Sequence, residues 1–187
     1  MIIVFTGNGK GKTTAALGQM VRVLGRGKKA LMIQFIKGPW RSGEDEFREK
    51  FQIPSDKFQI RKMGKGFVGI LGDKLPREEH ERAAYVALAN FKDEYKSGKW
   101  DLVILDEVNV AVSLGLLKVS DVLETIKDFP EDEFLIMTGR NAPNEFMDIV
   151  MHHEILHKRL KFKCNSTKTL HHSAEFKRLE IEFNEYE

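Results

Sequence analysis

The chain has 187 residues, enough for one domain with a full hydrophobic core, and its 42% hydrophobic and 31% charged content is ordinary for a globular protein. The formal net charge of +2 decides little about partners. Cys164 is the only cysteine, which excludes an intrachain disulfide and a multi-cysteine metal site. The opening Met1 to Phe5 is too short for a signal peptide, and no apolar run approaches the roughly 20 residues that span a bilayer. We therefore expect a reducing, cytoplasmic environment.

Apolar runs and helical periods alternate along the chain. The first half predicts, in order, a strand at Ile2 to Phe5, a helix at Thr13 to Leu24, a strand at Ala30 to Ile36, a mobile loop at Gly38 to Lys50, a strand at Phe58 to Met63 and a loop at Gly64 to Leu75. The second half predicts a helix at Pro76 to Lys96, a strand at Leu102 to Leu105, a helical region at Val108 to Asp128, a strand at Phe134 to Met137 and a helix beginning near Pro143.

This alternation predicts an α/β fold, in which a mostly parallel sheet is covered by helices on both faces. Neither an internal repeat nor a linker marks a second domain, so we expect residues 1–187 to form one domain. From about Met151 the pattern degrades into a histidine- and lysine-rich segment that the periodicity does not place.

The segment Thr6-Gly-Asn-Gly-Lys-Gly-Lys-Thr-Thr14 lies between the first strand and the first helix, where a phosphate-binding P-loop belongs. Its glycines let successive backbone N–H groups point at phosphate oxygens, and the helix start adds a partial positive charge. Lys12 supplies a full charge, and the Thr13 hydroxyl is placed to bind Mg²⁺. The standard spacing has glycine where this chain has Thr6. The position of the segment favours an ATP site over a glycine-rich turn with incidental lysines.

A second signal is Trp100-Asp-Leu-Val-Ile-Leu-Asp-Glu107, four apolar residues followed by two carboxylates at the end of a strand. Ligands of parallel sheets bind outside these strand ends, and a carboxylate there can hold Mg²⁺ directly or through water. Acidic residues also cap helices, so the pair alone is a weak signal, and it is the P-loop that favours a metal role. We predict a metal role for Asp106 and Glu107, with Glu107 as the direct ligand.

Several further motifs follow in a fixed order: Arg22 to Gly27, Gln34-Phe-Ile-Lys-Gly38, Gly64-Lys-Gly-Phe67, Leu105-Asp-Glu-Val-Asn109 and Thr138-Gly-Arg-Asn-Ala-Pro143. Together with the P-loop they resemble the P-loop type of ATP:cob(I)alamin (corrinoid) adenosyltransferase, over roughly residues 1 to 150. The resemblance implies a RecA-type sheet, a homodimer and transfer of the 5′-deoxyadenosyl group of ATP to the cobalt of a reduced corrinoid, with release of triphosphate. It also implies Mg²⁺ and a flavoprotein reductase, with neither a nucleic-acid nor a membrane partner.

The resemblance also assigns residues. It places the triphosphate on the P-loop, with Lys12 catalytic, and adds a nucleotide contact from Arg22; the full predicted set is Gly7, Asn8, Gly9, Lys10, Gly11, Lys12, Thr13, Thr14 and Arg22. Thr13, Glu107 and Asp106 are the implied metal residues. Phe67 matches an aromatic that faces the corrin, against the alternative of a loop aromatic packed on the core.

Two features depart from the family pattern. Gly69 stands where the family commonly has a second aromatic, and the segment after Val150 lacks the usual His-Pro-Phe and Gln-Gly-Ile-Glu pattern. The histidines His153 and His157, with Cys164 or His171, have the spacing of a possible zinc site, but a solvated basic segment explains them better. The alternatives to an adenosyltransferase are a conventional P-loop ATPase or small-molecule kinase, and a nucleotide-binding homologue without turnover.

Overall fold

The computed structural model describes residues 1–70, 72–157 and 161–163. Its strands are β1 (Ile2–Thr6), β2 (Ala30–Gln34), β3 (Phe58–Lys62), β4 (Leu102–Asp106), β5 (Phe134–Thr138) and β6 (Lys161–Lys163). Its helices are α1 (Lys12–Gly25), α2 (Gly43–Lys50), α3 (Arg77–Lys96), α4 (Val108–Ser113), α5 (Val119–Ile126) and α6 (Asn144–His157). The five strands expected from the apolar runs are all present, each within two residues of its predicted bounds.

The strands form one sheet in the order β3-β2-β4-β5-β1-β6, and every neighbouring pair is parallel. β1 leads into the P-loop and β4 ends in the acidic pair, and β5 lies between them. This is the RecA-type order that the resemblance implies. Because all strands run the same way, the residues after β1, β2, β3 and β4 emerge at one edge of the sheet.

Helices cover both faces of the sheet, as predicted. Alternate strand residues point to opposite faces, and helices cover both, which is why β1, β2, β4 and β5 are almost wholly buried and nearly continuous in apolar residues. The strand β3 is only partly buried. One core joins Val4, Leu31 and Ile33 to α3, α4, α5 and α6, while a second core joins Phe5 and Met32 to α1. The predicted α/β class is confirmed.

Two predicted elements need correction. The stretch Gly38 to Lys50 is not a loop throughout, because Gly43–Lys50 forms α2. The helix begins with a capping box, in which the backbone N–H of Ser42 donates to the carboxylate of Asp45 at 2.8 Å. The helical region after the acidic pair is two helices, α4 and α5, and the N–H of Gly115 bonds to the carbonyl of Val112 where the first one ends.

Within the described ranges, no helix combines the length and the apolar character needed to cross a membrane. The predicted zinc alternative lies outside what the structure describes: Cys164 and His171 fall beyond residue 163, and the side chains of His153 and His157 are likewise not described.

Candidate active site

The P-loop closes around the side chain of its own lysine. Gly11 precedes α1 with φ +108°, a backbone conformation that a side chain would strain, so glycine is required there. The Lys12 ammonium then reaches back and donates to the carbonyl of Gly7 at 2.8 Å and to the carbonyl of Gly9. Asn8 and Lys10 are exposed at the loop surface. The Lys12 ammonium is therefore bonded to backbone carbonyls of its own loop. An incoming phosphate would replace these carbonyls as the partner of the ammonium.

Thr6, the residue that departs from the standard P-loop spacing, has a structural task. It ends β1 and is buried, and its hydroxyl oxygen accepts a hydrogen bond from the backbone N–H of Ala142 at 3.1 Å. Glycine has no side chain to make this bond. Thr6 therefore ties the P-loop to the segment after β5, which belongs to the motif Thr138 to Pro143.

Asp106 is the buried hub of the site, with no exposed surface. Its Oδ1 accepts hydrogen bonds from the hydroxyls of Thr13 at 2.8 Å and Thr138 at 2.9 Å, and its Oδ2 accepts one from the amide of Gln34 at 2.9 Å. A buried carboxylate is costly unless its oxygens are satisfied in this way. These bonds fix its orientation and join β4 to α1, β5 and β2.

Glu107 has a different environment. Its backbone φ is +64°, and its N–H donates to the hydroxyl of Thr138 at 3.0 Å. Burial raises the pKa of the Glu107 carboxyl, and the neighbouring charge of Asp106 raises it further, although Lys12, Lys37 and Arg140 pull it down. Across the described ranges no group donates a hydrogen bond to this carboxylate. A divalent cation would relieve the repulsion between the two acids, so Glu107 suits a direct metal ligand.

Sequence reasoning gave no role to Gln34, Lys37 or Glu44, yet they extend the hub. The Gln34 amide donates to Asp106 and also to Glu44 at 3.3 Å, and the Lys37 ammonium binds Glu44 and lies 3.9 Å from the Asp106 carboxylate. Burial alone would raise the pKa of Glu44, but the hydrogen bond and charge of Lys37 outweigh it and lower that pKa. The signals in the sequence were a glutamine at the end of an otherwise apolar strand and the motif Gln34-Phe-Ile-Lys-Gly38, to whose side chains no role was given.

The structure gathers most predicted site residues at one edge of the sheet, with one exception. Arg22 lies in the last turn of α1 and is exposed. Ten residues of α-helix separate it from Lys12, about 15 Å along the axis. It does not join the P-loop, and its contact with nucleotide stays a prediction.

Phe67 lies in the loop after β3 and is 53% exposed, which argues against the alternative of an aromatic packed on the core. The backbone N–H and carbonyl groups connect this loop to the hub: the carbonyl of Gln34 accepts hydrogen bonds from the N–H groups of Met63 at 3.0 Å and Gly64 at 3.1 Å. One residue of β2 therefore contacts the acidic pair through its side chain and the Phe67 loop through its backbone.

Comparison with known proteins identifies the relatives of this chain. The sequence matches the family "ATP:corrinoid adenosyltransferase BtuR/CobO/CobP" over residues 1–167, further than the resemblance expected from its motifs. It is 36% identical over 149 residues to the corrinoid adenosyltransferase of Escherichia coli, covering 80% of this chain and 72% of that protein. It is 35% identical over 149 residues to the corrinoid adenosyltransferase CobA of Salmonella typhimurium, with the same coverage of 80% and 72%.

Among solved structures, a KaiC-like protein from Pyrococcus horikoshii OT3 is similar with a TM-score of 0.42 and 15% identity, covering 78% of this chain and 68% of that one, which is too weak a likeness to bear on fold or function. The chain belongs to the ATP:corrinoid adenosyltransferase family.

Proposed function

We propose that the protein transfers the 5′-deoxyadenosyl group of ATP to the cobalt of a reduced corrinoid and releases inorganic triphosphate. The observation that carries this proposal is the placement of a formed P-loop and an exposed aromatic loop at the same edge of the sheet, joined through Gln34. The family of the chain supports it independently.

The reaction does not need a side chain that acts as a general acid or base. Co(I) attacks C5′ of ATP with an electron pair, a cobalt–carbon bond forms, and the C5′–oxygen bond breaks with its electrons left on the triphosphate. Cobalt is thereby oxidised to Co(III), and no proton is transferred. The protein must align the attack and stabilise the charge that develops on the leaving triphosphate. Lys12, Lys10 and the backbone N–H groups of the P-loop suit the second task.

Mg²⁺ is part of the proposal, and the donor set fits it. The Thr13 hydroxyl hydrogen is directed to Asp106, which leaves oxygen lone pairs for a cation, and Glu107 supplies a carboxylate with no competing donor. Within the described residues no cluster of three His, Cys, Asp or Glu side chains is placed to hold a metal alone. Proteins usually hold Mg²⁺ with one or two carboxylates plus phosphate oxygens, and Asp106 and Glu107 could supply the carboxylates. When bound, the ion would neutralise charge on the triphosphate.

Two further elements rest on the resemblance to the family rather than on contacts in this chain: a homodimer, and a flavoprotein reductase that supplies the electrons for Co(I). A cytoplasmic location is also part of the proposal, and it rests on the composition, with its single cysteine. The same resemblance places the corrin against Phe67 and the triphosphate along Gly7 to Thr14.

A conventional ATPase is the second candidate, because one observation favours it. A buried carboxyl with a raised pKa, such as that of Glu107, suits a general base for an attacking water. The two candidates differ in the bond that breaks and therefore in the phosphate products.

The direct test is an anaerobic assay with ATP, Mg²⁺ and cob(I)alamin prepared beforehand. We expect the absorption spectrum to change to that of an alkyl-cobalt corrinoid, and light to reverse the change by breaking the new bond. Lys12→Ala is the matched inactive control, and it should show no conversion. Consumption of ATP without a light-sensitive product would contradict the proposal.

A further inference from the structure

The Lys37 ammonium is shared between two carboxylates at the edge of the sheet that carries the P-loop. It forms an ion pair with Glu44 and lies 3.9 Å from the buried carboxylate of Asp106. Its side chain is nevertheless 38% exposed, so solutes can reach it. The same charge reaches Glu107, where it opposes the rise in pKa that burial and Asp106 cause. Lys37 is thus a cation that faces both acids of the site and stays open on its outer side.

The backbone that carries Lys37 is fixed to the sheet. Just before it, the N–H of Phe35 donates to the carbonyl of Asp106 at 2.9 Å. The carbonyl of Ile36 accepts a hydrogen bond from the N–H of Gly66, also at 2.9 Å. The root of the Lys37 side chain therefore has a defined position beside β4, while its long stem can turn. The ammonium can change its partner without any movement of the sheet.

Glu44, the partner of Lys37, is not anchored by a buried helix. It lies in the first turn of α2, which has no buried residue. Besides the ion pair, its carboxylate accepts a hydrogen bond from the amide of Gln34 at 3.3 Å, which is long for such a bond. A more highly charged anion would therefore compete well with Glu44 for the ammonium.

Lys37 is not part of the apolar surface in front of the Phe67 loop. The large apolar residues that line a cavity of about 220 Å³ there are Trp40, Phe67, Ile70 and Leu75. Lys37 does not line this cavity, and its charge is directed to Asp106 instead. Asp106 in turn accepts a hydrogen bond from Thr13 at the start of α1. An anion bound on the P-loop is therefore the one that lies on the side of Lys37.

We propose that the Lys37 ammonium leaves Glu44 when ATP binds and contacts the triphosphate, as a second cation beside Lys12 for the leaving group. This inference rests on the proposed function, in which the triphosphate leaves. Mg²⁺ on the acidic pair would offset the charge that now attracts Lys37, while the triphosphate brings more negative charge than Mg²⁺ and Lys12 neutralise together. Because the electrons of the broken C5′–oxygen bond stay on the triphosphate, a cation in contact with it stabilises the transition state.

The test compares Lys37→Ala, Glu44→Gln and the double variant. Affinities for inorganic triphosphate and for ATP, each with Mg²⁺, are measured by calorimetry, and kcat and KM are measured with cob(I)alamin prepared beforehand. Arg41→Ala is the charge-matched control, since Arg41 is paired with another glutamate of α2, Glu49, and both are more than half exposed. Asp45→Asn is the control for a loosened helix, since it breaks the ion pair of α2 with β3.

We expect opposite effects from the two partners of the ion pair. Lys37→Ala should weaken the binding of inorganic triphosphate roughly tenfold, the lower end for a hydrogen bond between charged groups. Its kcat should fall by a similar factor, with the KM for cobalamin unchanged. Glu44→Gln should instead strengthen the binding of triphosphate about threefold, because a part-exposed ion pair no longer competes.

The double variant should match Lys37→Ala, and both controls should match the wild type. Because the double variant leaves neither charge of the pair without its partner, it tests the contact even where Lys37→Ala folds poorly.

The inference is wrong if Lys37→Ala and Glu44→Gln both weaken triphosphate, or if Asp45→Asn weakens it equally, because the pair would then only hold α2 in place. It is also wrong if Lys37→Ala leaves triphosphate affinity unchanged or raises only the KM for cobalamin. In each of these cases the wild type still forms adenosylcobalamin, so the proposed function stands. A wild type that forms none would contradict the proposed function, and with it the role of Lys37 at the leaving group.

Discussion

Around Asp106 the side chains are buried and joined to one another by hydrogen bonds, whereas around Phe67 they are exposed and positioned by the backbone beneath them. The Asp106 hub uses Thr13, Thr138 and Gln34 to satisfy one carboxylate. The cavity at Trp40 and Phe67 also has a carboxylate in its lining, that of Asp73, but this one is bonded mainly to the backbone N–H groups of its own loop, and glycines lie where other atoms approach closely. The Asp106 side is thus held together by buried hydrogen bonds, while the Phe67 side presents exposed apolar surface, which we propose the corrin covers.

This difference has a consequence for mutation. A polar network fails when one partner is removed, because the others are left buried and unsatisfied. Removing an exposed apolar side chain, by contrast, should weaken only the binding of the ligand that covers it. Changes near Asp106 should therefore affect ATP and Mg²⁺, whereas changes near Phe67 should affect the cobalt chemistry.

The largest effect is expected from Lys12→Ala. A hydrogen bond to a charged group is worth about 1.5–3 kcal/mol, so the affinity for MgATP should fall at least roughly tenfold by titration calorimetry. Lys57→Ala is the matched control, because the Lys57 ammonium also binds a backbone carbonyl, that of Gly27, but far from the P-loop. Unchanged affinity in Lys12→Ala would remove the P-loop assignment.

Next in size is the contrast between Glu107→Gln and Asp106→Asn. Glu107→Gln keeps the size of the side chain and loses its charge, so the Mg²⁺ concentration for half-maximal activity should rise about tenfold while the fold is retained.

Asp106→Asn places an amide where three donors converge, so it should cost about 1–3 kcal/mol of folding stability by denaturant titration.

The same two variants test which of the two carboxylates binds Mg²⁺ directly. If Asp106→Asn shifts the Mg²⁺ midpoint more than Glu107→Gln does, then Asp106 is the direct ligand and our assignment is wrong.

Phe67→Ala should act on cobalt and not on ATP. With a weak reductant, adenosylation should fall about fivefold or more, since an aromatic contact with a flat ligand is worth at least about 1 kcal/mol. With Co(I) generated beforehand the loss should be much smaller, because the assisted reduction is bypassed. MgATP affinity should stay within about threefold, or roughly 0.65 kcal/mol. Full activity with both reductants would remove the corrin-facing role of Phe67.

The smallest effect is a change in the pH dependence of stability. The raised pKa of Glu107 means that the folded protein keeps a proton there which the unfolded chain releases above about pH 4.3. This contribution to stability is fully present below that pH and is lost as the pH rises through the folded pKa. Carboxyls with lowered pKa values, such as Glu44 and Asp45, have the opposite dependence, so their stability is lost as the pH falls.

Subtracting the stability of Glu107→Gln from that of the wild type, at each pH and without nucleotide or metal, isolates the Glu107 contribution. The difference should decline with rising pH. A flat difference would mean that Glu107 is not buried beside Asp106 in solution.

The sequence predicted the strands and the P-loop well because their signals are local. A strand buried on both faces is a continuous apolar run, and the P-loop is contiguous in the chain. Helix α2 was missed because it has no buried residue and therefore no apolar face to detect; its one local signal was Ser42 followed by Asp45.

The remaining features of the site depend on contacts between distant residues. Gln34 and Thr138 converge on Asp106 from neighbouring strands, and Trp40 meets Gly66 across two loops, none of which spacing along the chain reveals. The departure at Thr6 also needed the structure, since its partner Ala142 is 136 residues away. Arg22 lies in the last turn of α1, away from the P-loop, so its predicted contact with nucleotide rests on the resemblance alone.

We propose that this P-loop presents C5′ of ATP, and not the γ-phosphorus, to the nucleophile. Phosphorus-31 NMR of an anaerobic turnover mixture with Mg²⁺, ATP and cob(I)alamin tests it most directly, because the cleaved bond fixes the phosphate products. If the protein is an adenosyltransferase, the spectrum should show inorganic triphosphate, with one molecule released for each alkyl-cobalt corrinoid formed. Signals of ADP and inorganic phosphate would show cleavage between the β- and γ-phosphates, and unchanged ATP would show a nucleotide-binding protein without turnover; either result would contradict the account.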